Sequence, residues 1–297
     1  MKNVLTCILN DKAGSSGAAE AGTLVARMAT EQNWEARIAI CAGGAELNSH
    51  AEQARAVGGL VVGAGGDGTI AATAAALVDM DAVLGVLPME TLNHFAKDLS
   101  IPRKLEEAVQ TLFSGRIARV DVGEVNGRVF LNNSSIGFYP RIVQEREREQ
   151  RRGRSKWVAF AKAAALIFQQ SRTLHVKLET AEGLGQSCDT SFVFIGNNRY
   201  AAAGLQIGSR VTMDGGKLWV CTAPDAGRFA LLALALKAVL GFVRDADMAA
   251  FETSQTEVHM RRDHVPVATD GEVNVMRTPL RYHIRPGALR VVVPAGD

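Results

Sequence analysis

The chain has 297 residues, enough for two domains. Hydrophobic residues make up 47% and charged residues 22%, a globular balance that excludes general disorder. Lys+Arg 33 against Asp+Glu 31 leaves a formal charge of +2, which argues against a nucleic-acid partner. Cys7, Cys41, Cys188 and Cys221 have neither CxxC spacing nor a histidine in metal-ligand register, so reduced thiols in the cytoplasm are expected. The opening segment is too short in its apolar run for a signal peptide, and no stretch reaches the ~20 apolar residues of a spanning helix. A soluble protein is expected.

Taken in order, residues 4–9 read as a strand, 18–30 as a helix, 35–40 as a strand and 46–57 as a helix. Residues 60–64 form a glycine-bounded strand, 70–78 a helix and 83–87 a strand stopped by Pro88. This β-α-β-α rhythm with wholly apolar strands predicts a parallel sheet covered by helices. Beyond Arg119 the rhythm changes. Residues 120–125, 128–132, 174–179, 191–195 and 217–221 read as strands, followed by 258–260, 265–268, 273–276 and 290–293. Asn126-Gly127, Asp214-Gly215 and Asp270-Gly271 are hairpin signals, so the second half reads as mostly antiparallel. Two apolar helices, 157–169 and 229–243, interrupt it. Residues 141–172 carry nine Lys and Arg against three Glu, a local +6. That segment reads either as a solvated face beside core helices or as a surface for anionic lipid headgroups.

The strongest local signal is Gly65-Gly66-Asp67-Gly68-Thr69, between a strand and a helix. Glycines allow close backbone approach, and a helix N-terminus offers unpaired N–H groups and a positive dipole end to a phosphate. Thr69 is placed to cap that helix. Asp67 would repel a bare phosphate unless a Mg²⁺ or its water shell lay between them. Gly63 to Gly68 also satisfies GxGxxG, with Glu90 beyond the next strand, as in a dinucleotide site. That pattern normally follows the first strand, however, and this would be a later one. No Walker A sequence is present, because Gly216-Lys217 is followed by Leu218. Asp270-Gly271-Glu272 is either a plain hairpin turn or a pair of working carboxylates. Asp214 faces the same choice. His94 and His264 read as exposed or loosely packed.

Gly65-Gly66-Asp67-Gly68-Thr69 followed by Pro88-Met89-Glu90-Thr91-Leu92-Asn93 resembles the GGDGT and P-x-G-T-x-N motifs of the bacterial diacylglycerol kinase and sphingosine kinase-like lipid kinase family. Asn10-Asp11-Lys12-Ala13-Gly14 is similar to its opening N-P-x-S/A-G loop, with Asp11 for Pro. Gly196-Asn197-Asn198, Asp214-Gly215-Gly216-Lys217-Leu218, Asp270-Gly271-Glu272 and Pro286-Gly287-Ala288-Leu289 match its later motifs. The resemblance covers essentially the whole chain.

It implies an α/β nucleotide-binding domain of the NAD kinase/phosphofructokinase-like kind over residues 1–120, rejoined by a final strand at 287–297. A mostly antiparallel β-sandwich lipid domain would follow over 121–286, with the active site in the cleft between the two. It further implies transfer of the ATP γ-phosphate to a lipid hydroxyl, of diacylglycerol or a sphingoid base for example. Asn10, Cys41, Gly65, Gly66, Asp67, Gly68, Thr69, Ile70, Thr91 and Asn93 would then contact the nucleotide. Asp214 and the main-chain carbonyls of Val211 and Gly216 would hold Mg²⁺. Glu272 would be the general base, with Asp270 beside it in the catalytic turn. The implied setting is cytoplasmic, with transient contact at an anionic inner-membrane surface. Glu90 stands where the pattern has Gly, in the loop expected to approach ATP. Its charge leaves open a relative that binds nucleotide or lipid without transferring phosphate, or less readily a NAD kinase.

Overall fold

The computed structural model describes residues 3–11, 17–90, 93–137, 173–180, 183, 185–201, 209–222 and 249–295. The expected helices at 157–169 and 229–243, and the basic run at 141–156, lie outside them. The chain divides into two compact units, 1–122 with 285–297, and 123–284.

In the first unit, β1 (Asn3–Asn10), β3 (Leu60–Gly65) and β4 (Val83–Pro88) are apolar runs buried nearly throughout. Only a strand covered on both faces needs such a sequence. β2 (Trp34–Cys41) is the edge strand, and its pattern is correspondingly mixed. All pair in parallel, in the order β2-β1-β3-β4. Parallel neighbours require crossovers, and α1 (Gly17–Glu31), α2 (Gly44–Val57) and α3 (Asp67–Leu77) supply them. α1 buries Ala18, Ala21, Gly22, Val25 and Ala29, one helical face at 3–4-residue spacing.

Two helices not expected from the sequence follow β4: α4 (His94–Asp98) and α5 (Leu105–Ser114). The last part of β16 (Leu280–Val293) lies parallel to β4, with Val291 opposite Leu84. That return is pinned by Gly287 N–H donating to Asp121 Oδ1 at 2.8 Å and Asp79 N–H donating to Ala288 O at 2.9 Å.

The second unit is antiparallel. One sheet runs β12 (Ala249–Thr253), β11 (Leu218–Thr222), β10 (Phe192–Asn197), β7 (Asn133–Gly137), β14 (His264–Thr269), β15 (Glu272–Arg277). In the other, β13 (Gln255–Met260) lies between β8 (Leu174–Thr180) and the start of β16, and β9 (Gly185–Thr190) pairs with β8. β5 (Arg116–Val125) and β6 (Arg128–Phe130) form a hairpin. Val176 and Leu178, Val193 and Ile195, Leu218 and Val220, Val265 and Val267 alternate inward from both sheets into one core. Tyr282 is buried in that core, and its hydroxyl lies 3.0 Å from Ser134 Oγ. Burial pushes its phenol above the usual range.

Asn126-Gly127 and Asp270-Gly271 make tight hairpins with both central residues at positive φ, 48° and 83° in one and 48° and 86° in the other. Asp214-Gly215 makes none. It belongs to an irregular segment between Arg210 and β11.

Candidate nucleotide and phosphoryl-transfer site

The order 2-1-3-4 creates a divergence point. The chain leaves β1 toward one edge of the sheet and leaves β3 toward the other, so a crevice opens at the carboxyl ends of β1 and β3. Asn10 ends β1, Gly65 ends β3, and the Asn10 amide donates to Thr69 Oγ1 at 3.1 Å. The predicted glycine turn therefore sits where such sheets take ligands. The dinucleotide arrangement is different, because its fingerprint follows the first strand.

The glycines have distinct tasks. A Cβ on Gly65 would stand 2.5 Å from Thr69 Oγ1, and one on Gly63 would stand 3.0 Å from Thr73 Oγ1. Both positions let β3 lie directly against α3. Gly66 is the N-cap of α3, and no side chain caps it. Thr69 is thus in the first turn of the helix rather than its cap. Glycines at 66 and 68 disguise the true start.

Asp67 has a local function that the sequence reading missed. Its carboxylate accepts from His94 N–H at 3.1 Å and Phe95 N–H at 3.5 Å. Asn93 Oδ1 accepts from Ala96 N–H at 3.0 Å, and its amide donates to Gly65 O at 3.4 Å. Asp67 and Asn93 together anchor the start of α4 to the glycine turn. Ile70 is wholly buried and its N–H donates to Gly66 O, so neither its side chain nor its amide faces the crevice. Cys41, at the end of β2, is 1% exposed. Burial raises its thiol, and the charge of Glu46 adds to that. Thr91 lies outside the described residues. Gly68 is exposed on the first turn of α3.

Glu90 has the most consequential placement. A Cβ built on Gly66 would meet Glu90 Oε1 at 2.4 Å and Oε2 at 2.9 Å. The carboxylate lies directly over the N-terminus of α3.

The remaining candidates are in the second unit. Asp270 accepts from three successive backbone N–H groups, those of Leu131 at 2.7 Å, Asn132 at 2.8 Å and Asn133 at 3.2 Å. Both its oxygens are engaged in holding the start of β7 beside the turn. Glu272, two residues on, has a side chain 63% exposed, and its Oε2 lies 2.7 Å from Arg128 Nη2. An ion pair this exposed contributes little stability. Arg128 Nε also donates to Thr269 Oγ1 at 3.0 Å. Asp214 is exposed and takes the hydroxyl of Thr212. Val211 is exposed, and its N–H donates to Arg199 O at 2.9 Å. Gly216 adopts φ +67°, a turn of the backbone that favours glycine.

Among the described residues no three His, Cys, Asp or Glu side chains gather as a metal site. A site of one carboxylate plus neutral carbonyl oxygens is outside that description, and such hard donors suit Mg²⁺. The structure adds an observation that favours the fit: Asn198 Oδ1, facing the same segment, is buried with no hydrogen-bond partner. An open groove of about 640 Å³, lined by His175, Lys177, Asp189 and His259 among others, carries none of the predicted site residues. No helix among the described residues is long and apolar enough to cross a membrane.

Fold and glycine turn together define an α/β unit suited to phosphate, in a chain whose second unit is a β-sandwich. The diacylglycerol kinase catalytic domain family matches residues 4–125, and the YegS C-terminal NAD kinase beta sandwich-like domain family matches residues 136–293. A "Probable lipid kinase YegS-like" of Pseudomonas aeruginosa PAO1 is 31% identical over 260 residues, 83% of this chain and 80% of that one. Its namesake from Enterobacter sp. strain 638 is 34% identical over 156 residues, so there the match spans 50% of each chain. A solved diacylglycerol kinase from Bacillus anthracis str. Sterne shares the fold with a TM-score of 0.73 at 19% identity, over 98% of this chain and 97% of that one. The chain belongs to the YegS-like lipid kinase family.

Proposed function

We propose that this protein transfers the γ-phosphate of ATP to a hydroxyl of a lipid such as diacylglycerol or a sphingoid base. The observation carrying the reading is the glycine turn at the β1/β3 crevice, with Asn10 hydrogen-bonded to Thr69 across it. Helix N–H groups and glycine backbone there can take phosphate oxygens. In this reading Asn10, Gly65, Gly66, Gly68 and Thr69 line the phosphates, with Thr91. Asp67 and Asn93 hold the turn in shape, Cys41 borders the nucleotide, and Ile70 anchors α3 in the core. Glu272 accepts the hydroxyl proton as the lipid oxygen bonds to phosphorus and ADP leaves. Asp270 fixes the turn that presents Glu272. Asp214 and the carbonyls of Val211 and Gly216 would hold Mg²⁺. When bound, that ion would neutralise phosphate charge.

The test is transfer of radiolabel from γ-labelled ATP, with Mg²⁺, to a panel of diacylglycerol, monoacylglycerol and sphingosine, with NAD as competing ligand. Label in any of the lipids supports the reading, and thermal stabilisation by NAD but not ATP overturns it. One observation favours a second reading, a relative that binds without transferring phosphate: the Glu90 carboxylate over Gly66. ATP binding with no label transferred to any lipid would select it.

A further inference from the structure

Asn197 ends β10 and Asn198 directly follows it, and both are buried. Asn197 Nδ2 donates to Leu131 O at 2.7 Å, which leaves its Oδ1 to accept from Asn198 Nδ2 at 3.4 Å. This relay fixes which end of the Asn198 amide faces which way, because flipping it would set two acceptor oxygens against each other. Asn198 Oδ1 is therefore turned toward the segment containing Asp214. It would stand 2.9 Å from a Cβ on Gly215. Any side chain at that position would cover the oxygen. Asn198 is 1% exposed, and this oxygen has no hydrogen-bond partner.

A buried carbonyl oxygen left without a donor is costly, and a native fold retains one where an ion or water completes it. The backbone is built to keep it there. Asn198 sits at φ +68°, and its N–H donates to Lys217 O at 3.0 Å, tying the far end of the segment to it. Asp214 supplies a formal negative charge one residue from Gly215. A carboxylate and an amide oxygen are hard oxygen donors of the kind that Mg²⁺ and Ca²⁺ take.

We propose that Asn198 Oδ1 is a ligand of a divalent cation bound by the Asp214 segment. The inference rests on the kinase reading only in placing a cation there. It adds a ligand from the residue that directly follows β10 to a site otherwise made of the 211–216 segment. The cation would thereby be fixed to the sheet rather than carried by a turn alone.

Binding of Mn²⁺ to the full chain, followed by the loss of its free electron-spin signal, tests this without reference to turnover. Asn198→Asp and Asn198→Gly both tolerate positive φ. The first adds a charge at the same place, and the second removes the oxygen. Asn198→Asp should bind Mn²⁺ on the order of tenfold tighter, and Asn198→Gly on the order of tenfold weaker. Melting curves in EDTA and in Mg²⁺ accompany them. Asn198→Asp should lose stability in EDTA and recover more than the wild type does when Mg²⁺ is added. Wild-type Mn²⁺ affinity in both variants, with loss in Asp214→Asn, overturns the role of Asn198 and leaves the Asp214 assignment standing. No Mn²⁺ bound by the wild-type chain overturns both.

Discussion

Replacing Glu90 by glycine should tighten the binding of ATP. In the structure its carboxylate rests on Gly66, at the mouth of the helix whose N–H groups are proposed to receive phosphate. Two unit charges about 4 Å apart interact by about 4 kcal/mol at the effective dielectric of a protein surface. Glu90 is half-buried, so solvent screens part of that repulsion and the penalty actually borne is smaller. A gain of about 1.4 kcal/mol, or tenfold in affinity, is the expectation for Glu90→Gly. Glu90→Gln separates charge from bulk, and most of the gain should survive in it. Raising the salt concentration should shrink the difference, because screening acts on the wild-type repulsion. Calorimetric titration of all three forms with ATP in the presence of Mg²⁺ reads the effect directly. Equal affinities would mean that the side chain leaves the crevice at no cost. Weaker binding by the glycine form would show that Glu90 takes part in recognition, and the repulsion argument would be refuted.

Glu272→Gln should keep the fold and ATP binding while lowering lipid phosphorylation on the order of 10²-fold, as read by label transfer. Wild-type turnover in that variant would remove Glu272 from the chemistry. Burial pushes the Cys7 thiol up to about 12 from an ordinary 9.0. The unfolded chain therefore ionises first, and this thiol contributes a loss of stability as pH rises from about 9 to 12, up to about 1.4 kcal/mol per pH unit. Cys7→Ala should flatten that part of the profile in denaturant titrations between pH 8 and 10.5, and an unchanged slope would contradict the assignment. Binding to lipid vesicles should require anionic lipid and fall with salt, given the nine Lys and Arg against three Glu at 141–172. Sedimentation with neutral vesicles to the same extent would exclude a headgroup role for that run.

The parallel strands were legible because β1, β3 and β4 are apolar without alternation, a pattern that a strand half in water cannot carry. β9 and β12 were not. Their sequences, Gly185–Thr190 and Ala249–Thr253, are short, largely exposed edge segments whose pairing is decided by neighbours rather than by pattern. α5 did carry a signal, with Ala108, Val109 and Leu112 on one face and Glu106 and Glu107 in its first turn. The three turn dipeptides show the limit of local reading. Asn126-Gly127 and Asp270-Gly271 turn hairpins, whereas at Gly215 a Cβ would meet the Asn198 side chain. Likewise nothing in Asn197-Asn198 tells which amide is satisfied. That depends on Leu131, far away in sequence.

The return of β16 has a consequence for biosynthesis. The strand beside β4 comes from the last part of the chain, with Val291 opposite Leu84. During translation β4 is made long before its partner in β16, and that apolar edge stays unpaired until residue 291 has emerged. An open apolar edge invites pairing with other chains. The N-terminal unit therefore cannot finish folding first, although N-terminal domains usually do. The contacts that close it, Gly287 on Asp121 and Asp79 on Ala288, bind residues made far apart in time, 166 positions apart in the first case. A nascent chain arrested before residue 285 should accordingly be far more sensitive to protease in its first unit than the released protein.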